Sequence, residues 1–142
     1  MSVTREQLLS CLSVPRWADD VLAGEPYADR ESLLAAADVS ARSLSDSELD
    51  EALSAHPRIG ERGGAQSQKE QAGIDPSDRL AAGNAAYEER FGRVFLIRAA
   101  GRDAEAILAE LDRRLGNDDT TERAETVDNL RQIALRRLAA LL

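Results

Sequence analysis

Apolar residues return at intervals of three and four along most of the chain, a spacing that predicts helices rather than strands. Thr4 and Gln7 have the spacing of a capping box ahead of LLSCL. Pro15 suits the first turn of RWADDVLAG, with Gly24 as its stop. Asp29 caps ESLLAAADVSARSL, whose Leu33, Leu34, Ala37 and Leu44 share one broad face. Ser45 and Glu48 form a second box, opening a helix through Leu49 and Leu53. That helix is expected to end at His56, because a residue preceding proline is driven out of the α region. A glycine-containing loop follows over 57–66, then a short helix over Ser67–Gln71 closed by Gly73. Asp75 and Pro76 open a longer helix through Leu80, Asn84 and Tyr87, which breaks near Gly92. The apolar run Val94–Ile97 reads either as a buried extended connector or as helical continuation. Asp103 caps AEAILAELDRRLG, and Asp119 with Glu122 precedes a terminal helix carrying Val127, Leu130, Ala134, Leu138 and Leu141. The expectation is an all-α, single-domain bundle of about seven or eight helices spanning residues 1–142.

Composition narrows the function classes. A length of 142 residues fits one domain able to bury about 68–70% of its unfolded surface, so stability requires no disulfide or metal. The net charge of −8 argues against nucleic acid, since neutralising phosphates needs a surplus of Lys and Arg. The RRL pairs at Arg113–Leu115 and Arg136–Leu138 read as cations complementing helix ends. The one cysteine, Cys11, excludes an intrachain disulfide and reads as a small buried hydrophobe. No run approaches the ~20 apolar residues of a membrane span, and the N-terminus MSVTREQLLS lacks the features of a secretory signal. The expected compartment is the cytoplasm, with no membrane partner.

Three segments could carry chemistry. His56 is the only histidine, and an imidazole with an ordinary pKa of about 6.5 can accept or donate a proton near neutrality. Its local pattern better fits a histidine closing the end of its own helix. On a helix, Ser67, Glu70 and Gln71 of SQKEQ stand at i, i+3 and i+4 and share a face, a hydroxyl, a carboxylate and an amide suited to a polar ligand. The same S-x-x-E spacing is a capping box, which local pattern favours without excluding the other reading. In YEERFGRVFLIRAAGR (Tyr87–Arg102), non-helical backbone around Phe95–Ala99 would leave peptide groups for a ligand, while Phe95 and Ile97 equally suit a core. One histidine and one cysteine argue against a catalytic zinc site, no phosphate loop or dinucleotide fingerprint occurs, and G-x-S-x-G is absent.

The ordered segments AHPRIG (Ala55–Gly60), SQKEQAG (Ser67–Gly73) and NAAYEERFGRVFLIRAAGR (Asn84–Arg102) resemble the OHCU decarboxylases, which act on 2-oxo-4-hydroxy-4-carboxy-5-ureidoimidazoline. CLSVPRW and RESLLAAAD extend the likeness over nearly the whole chain. The resemblance implies an all-α, cofactor-free, metal-free and homodimeric carboxy-lyase that forms (S)-allantoin in urate degradation from a small ureidoimidazoline substrate. It implies His56 and Glu70 as catalytic residues. It implies Pro57, the run Ser67, Gln68, Lys69, Glu70 and Gln71, and the run Phe95, Leu96, Ile97, Arg98 and Ala99 as substrate contacts, the latter through backbone. Arg98 carries no implied side-chain role. The rival expectations are a non-catalytic helical interaction module of the same fold and a lyase for a related ureido acid.

Overall fold

A computed structural model describes residues 2–56, 76–99 and 101–142. Among them the chain forms seven helices and no strand: α1 (Arg5–Cys11), α2 (Pro15–Ala23), α3 (Arg30–Ala41), α4 (Asp46–Ser54), α5 (Pro76–Phe91), α6 (Ala104–Leu115) and α7 (Asp119–Leu141). The expected all-α class is what the chain adopts. The expected short helix over Ser67–Gln71 and the loop before it lie outside the described residues.

The helix starts follow from cap chemistry. Both boxes form in full: Thr4 accepts from the Gln7 N–H while Gln7 reaches back to the Thr4 N–H, and Ser45 and Glu48 do the same. Asp29 and Asp103 accept from the amides of Ser32 and Ala106. Pro15 is the first residue of α2, and Gly24 is its C-cap. Three boundaries differ from expectation. Helix α4 closes at Ser54 rather than at His56. Helix α3 stops at Ala41 rather than reaching Leu44, and Arg16 Nη2 binds the carbonyls at this turn, 3.4 Å from Ser40 O in the last turn and 2.9 Å from Ser43 O just past the C-cap. Leu44 is buried instead in the position just before the Ser45 cap. Helix α7 begins at Asp119, and the capping side chain is Asp118, which accepts from the Thr121 N–H at 2.7 Å.

The described chain falls into two compact units, residues 1–55 with 127–142, and residues 56–126. In the first, α1 packs on α2 and α2 on α3. Leu8, Trp17, Ala18, Val21, Leu33 and Ala37 are fully buried, and the Trp17 indole N–H donates to Ala37 O at 2.9 Å, so the largest core side chain keeps its one polar atom satisfied. Cys11 is buried, and that burial pushes its thiol pKa up, as suits an inert core residue. The carboxylate of Asp38 in α3 accepts from Arg131 in α7 at 2.9 Å, and Arg30 donates to Ala139 O at 3.0 Å.

Arg16 also pairs with Glu48, Nε to Oε2 at 2.7 Å. That bond, followed by the one from the Ser45 N–H, holds the Glu48 carboxyl below the usual carboxylate range. A group whose folded pKa is depressed stabilises the fold fully above its unfolded pKa, about 4.3, and loses that contribution as pH falls through the folded value. Thermal melts taken between about pH 6 and pH 2 should therefore show Tm falling with acid, and Glu48→Gln should flatten that slope. An identical slope in the variant would remove Glu48 from the acid response.

In the second unit α5 packs on α6, and Leu80, Tyr87, Phe95, Ile97, Ile107, Leu108 and Leu111 form one buried cluster. Gly83 is the point of closest approach: a Cβ there would lie 2.3 Å from Leu111 Cδ2 and 3.2 Å from its Cγ. Leu111 is itself buried and has little room to yield. Gly83→Val is expected to cost about 1–3 kcal/mol through overpacking, read as a lower denaturation midpoint at unchanged m-value. Unchanged stability would mean that α5 and α6 part without strain.

Candidate active site

His56 follows directly on the end of α4. That helix closes at Ser54 with Ala55 as its C-cap, the Ala55 N–H reaching the carbonyls of Ala52 and Leu53. The imidazole is therefore one residue beyond the cap rather than the cap itself, on half-buried chain leaving the helix. Leu49, Ala52 and Leu53 are buried and anchor α4. Pro57, Ser67, Gln68, Lys69, Glu70 and Gln71 lie outside the described residues. His56 and the run Phe95–Ala99 belong to the same compact unit.

The two readings of Val94–Ile97 resolve in favour of the extended connector: residues 94–99 carry no helix. Glycines mark both ends of the passage, Gly92 at φ 71° and Gly101 at φ 80°. These are left-handed conformations that glycine adopts without steric penalty, and they let the chain leave α5 and later turn towards α6. Phe95, Leu96 and Ile97 are buried, whereas Arg98 and Ala99 are half-buried.

Several bonds hold this segment. The Phe95 ring sits edge-on to Tyr87 with centroids 5.2 Å apart, and the Arg114 guanidinium lies over its face, 4.7 Å from the centroid. Arg114 Nη1 donates to Leu96 O at 2.6 Å. Arg102 donates from Nε to Arg98 O at 3.1 Å and from its backbone N–H to Ala99 O at 3.0 Å. The carbonyls of Leu96, Arg98 and Ala99 are thus engaged. The N–H groups of Phe95, Leu96 and Ile97 donate to no backbone carbonyl among the described residues. Amides in buried surroundings are strong donors seeking a partner; along extended chain they alternate in direction, so Phe95 and Ile97 together can present N–H groups to a carbonyl, a carboxylate or a ureido oxygen.

Beneath this edge lies an ion pair that the sequence reading missed. Arg114 and Glu122 have side chains 1% and 0% exposed. Arg114 Nη2 contacts Glu122 Oε2 at 2.5 Å and Thr126 Oγ1 at 3.1 Å, and its Nε reaches both Glu122 oxygens. Glu122 also accepts from Asn117 Nδ2 at 3.1 Å and from the Tyr87 hydroxyl. Burial first, and the Glu122 carboxylate second, push the Tyr87 pKa up to about 12, keeping it a phenol that donates. Arg114 does lie in the last turn of α6, but its side chain is sealed with that of Glu122 rather than facing solvent. The signal was periodicity: Arg114 continues the stripe of Ile107 and Leu111 on α6, and Glu122 continues that of Thr126, Leu130, Ala134 and Leu138 on α7. Opposite charges on two apolar faces point to a buried pair.

The family model of the OHCU decarboxylases matches residues 3–139. The chain belongs to the OHCU decarboxylase family. Among curated members, it is 31% identical over 137 residues to the 2-oxo-4-hydroxy-4-carboxy-5-ureidoimidazoline decarboxylase of Amia calva, covering 87% of this chain and 78% of that protein. It is 27% identical over 134 residues to the decarboxylase of the same name from Haloferax volcanii, covering 88% and 80%. A crystal structure of OHCU decarboxylase in the presence of (S)-allantoin superposes with a TM-score of 0.81 at 26% identity, covering 98% of both chains. An (S)-allantoin synthase structure, at 18% identity and a TM-score of 0.76, covers 96% of this chain but 48% of that one and shows the shared fold alone.

Proposed function

We propose that this chain removes carbon dioxide from 2-oxo-4-hydroxy-4-carboxy-5-ureidoimidazoline and delivers (S)-allantoin, a carboxy-lyase step of urate breakdown. The observation that carries the reading is the family match over residues 3–139, joined to a chain in which the single histidine leaves a helix end in the same unit as an extended, buried backbone edge. Loss of carbon dioxide leaves an electron pair on a ring carbon, which must be delocalised and then protonated on one face. A protein accelerates that by fixing the carboxylate out of the ring plane, stabilising the developing charge and offering one proton from one side.

In this reading His56 carries the proton, acting on the substrate hydroxyl or delivering the ring proton, and so sets the configuration of the product. Glu70 orients ureido or ring N–H groups beside it. Pro57, Ser67, Gln68, Lys69 and Gln71 contact the substrate, and the backbone of Phe95–Ala99 receives its carbonyl or ureido edge. The chemistry calls on no cofactor and no metal. The chain acts as one domain over 1–142, as a homodimer in the cytoplasm; the solution mass from light scattering tests the dimer.

The deciding experiment follows circular dichroism of freshly generated urate-oxidation intermediate with and without the protein. Accelerated growth of the (S)-allantoin signal is the expected result. Racemic decay at the spontaneous rate would mean a helical module without turnover, and activity confined to another ureido acid would mean a related lyase.

A further inference from the structure

We propose that Arg114, locked by Glu122, is a positioning residue that aims the Ile97 amide at the substrate; this rests on the reading above that backbone 95–99 holds the ligand. The pair is a weak device for stability, since sealing two charges from water costs about what their attraction returns, and apolar residues of similar volume serve as well or better. A leucine at 114 would simply have continued the stripe of Ile107 and Leu111. What an apolar residue cannot do is reach Leu96 O, which Arg114 Nη1 binds at 2.6 Å.

That bond has a directional consequence. The peptide unit is planar and trans, so the Leu96 carbonyl and the Ile97 N–H lie in one plane and point in opposite directions. Fixing the carbonyl on Arg114 therefore aims the Ile97 N–H away from it. This amide donates to no backbone carbonyl among the described residues. The same guanidinium covers the Phe95 face at 4.7 Å, which stops the segment from turning about its own axis. Glu122 holds the guanidinium through both carboxylate oxygens, and Thr126 accepts a further bond at 3.1 Å. The planar fork of arginine can serve carboxylate and carbonyl together, whereas the point charge of lysine cannot.

The test compares the parent, Arg114→Lys, and the double variant Arg114→Met with Glu122→Leu, which removes both charges and so avoids stranding one. Each is assayed for KM and kcat on freshly generated substrate, and for hydrogen exchange of the 95–99 amides. Both variants are expected to keep the parental far-UV spectrum, to exchange these amides faster, and to raise KM about tenfold with kcat nearly unchanged, the size of effect that follows from misdirecting one hydrogen bond to a bound ligand. The pH profile of kcat stays where it was, because proton transfer belongs to His56. A purely structural role would reduce the amount of active protein, lowering kcat and sparing KM, and that result overturns the proposal. So does a folded double variant with parental KM, whatever its exchange rates. A parent without activity on this substrate would instead sink the proposed function itself, a different result from an active parent with indifferent variants.

Discussion

Alanine in place of His56 should lower kcat by about 10²–10⁴-fold, the range that general acid–base assistance supplies, while substrate still binds. The fold should survive intact. Helix α4 is capped by its own Ser45–Glu48 box and buries Leu49, Ala52 and Leu53. Far-UV circular dichroism and the melting temperature of His56→Ala should therefore match the parent, and the defect should lie in turnover. Product analysis adds a sharper reading. Any allantoin formed from the variant should approach the racemic mixture of spontaneous decay, because the group that places the proton on one face is gone. If the variant still yields (S)-allantoin at the parental rate, the proton comes from elsewhere.

The largest expected effect on stability comes from Glu122→Ala. It leaves the Arg114 guanidinium, 1% exposed, without its counter-ion and the Tyr87 hydroxyl without its acceptor. Stranding a buried charge in this way costs about 3–5 kcal/mol. For a chain of this size each kcal/mol moves Tm by about 2–4 °C, so the loss should be roughly 10 °C. Removing Arg114 as well, with apolar residues of matching volume at both positions, should restore much of that loss, since no charge is then left unpaired. A double variant as unstable as Glu122→Ala would show that the cost lies in packing and not in charge.

The contrast between what was readable in the sequence and what was not follows the range of the forces involved. Caps are local: Thr4, Asp29, Ser45 and Asp103 each satisfy an amide three residues on, and their spacing in the sequence announces it. Gly92 and Gly101 punctuate the chain by their own backbone freedom, which a reader of residues can also see. The end of α3 was misjudged, and there Arg16, more than twenty residues earlier, binds the carbonyls of Ser40 and Ser43. Arg114 and Glu122 follow the same rule: each alone reads as an ordinary charge near a helix end, and only the meeting of their side chains between α6 and α7 seals them as a pair. Val94–Ile97 lay between these cases. Its apolar character was plain, but the choice of extended chain over helix depends on Arg114, Arg102 and the Phe95 contacts. For the catalytic set, local pattern favoured capping at His56, Ser67 and Glu70, and only the family likeness pointed to chemistry.

The passage between Gly92 and Gly101 has an evolutionary consequence. A ligand held by peptide groups, as proposed above, reads no side chain directly, so Phe95, Ile97 and Ala99 are constrained by core packing rather than by the ligand. Constraint then shifts outward, onto the two glycines that bend the chain and the arginine that steers it. Descendants of this protein should keep apolar residues at 95 and 97 for the core, and should hold as strictly some residues that never touch the ligand.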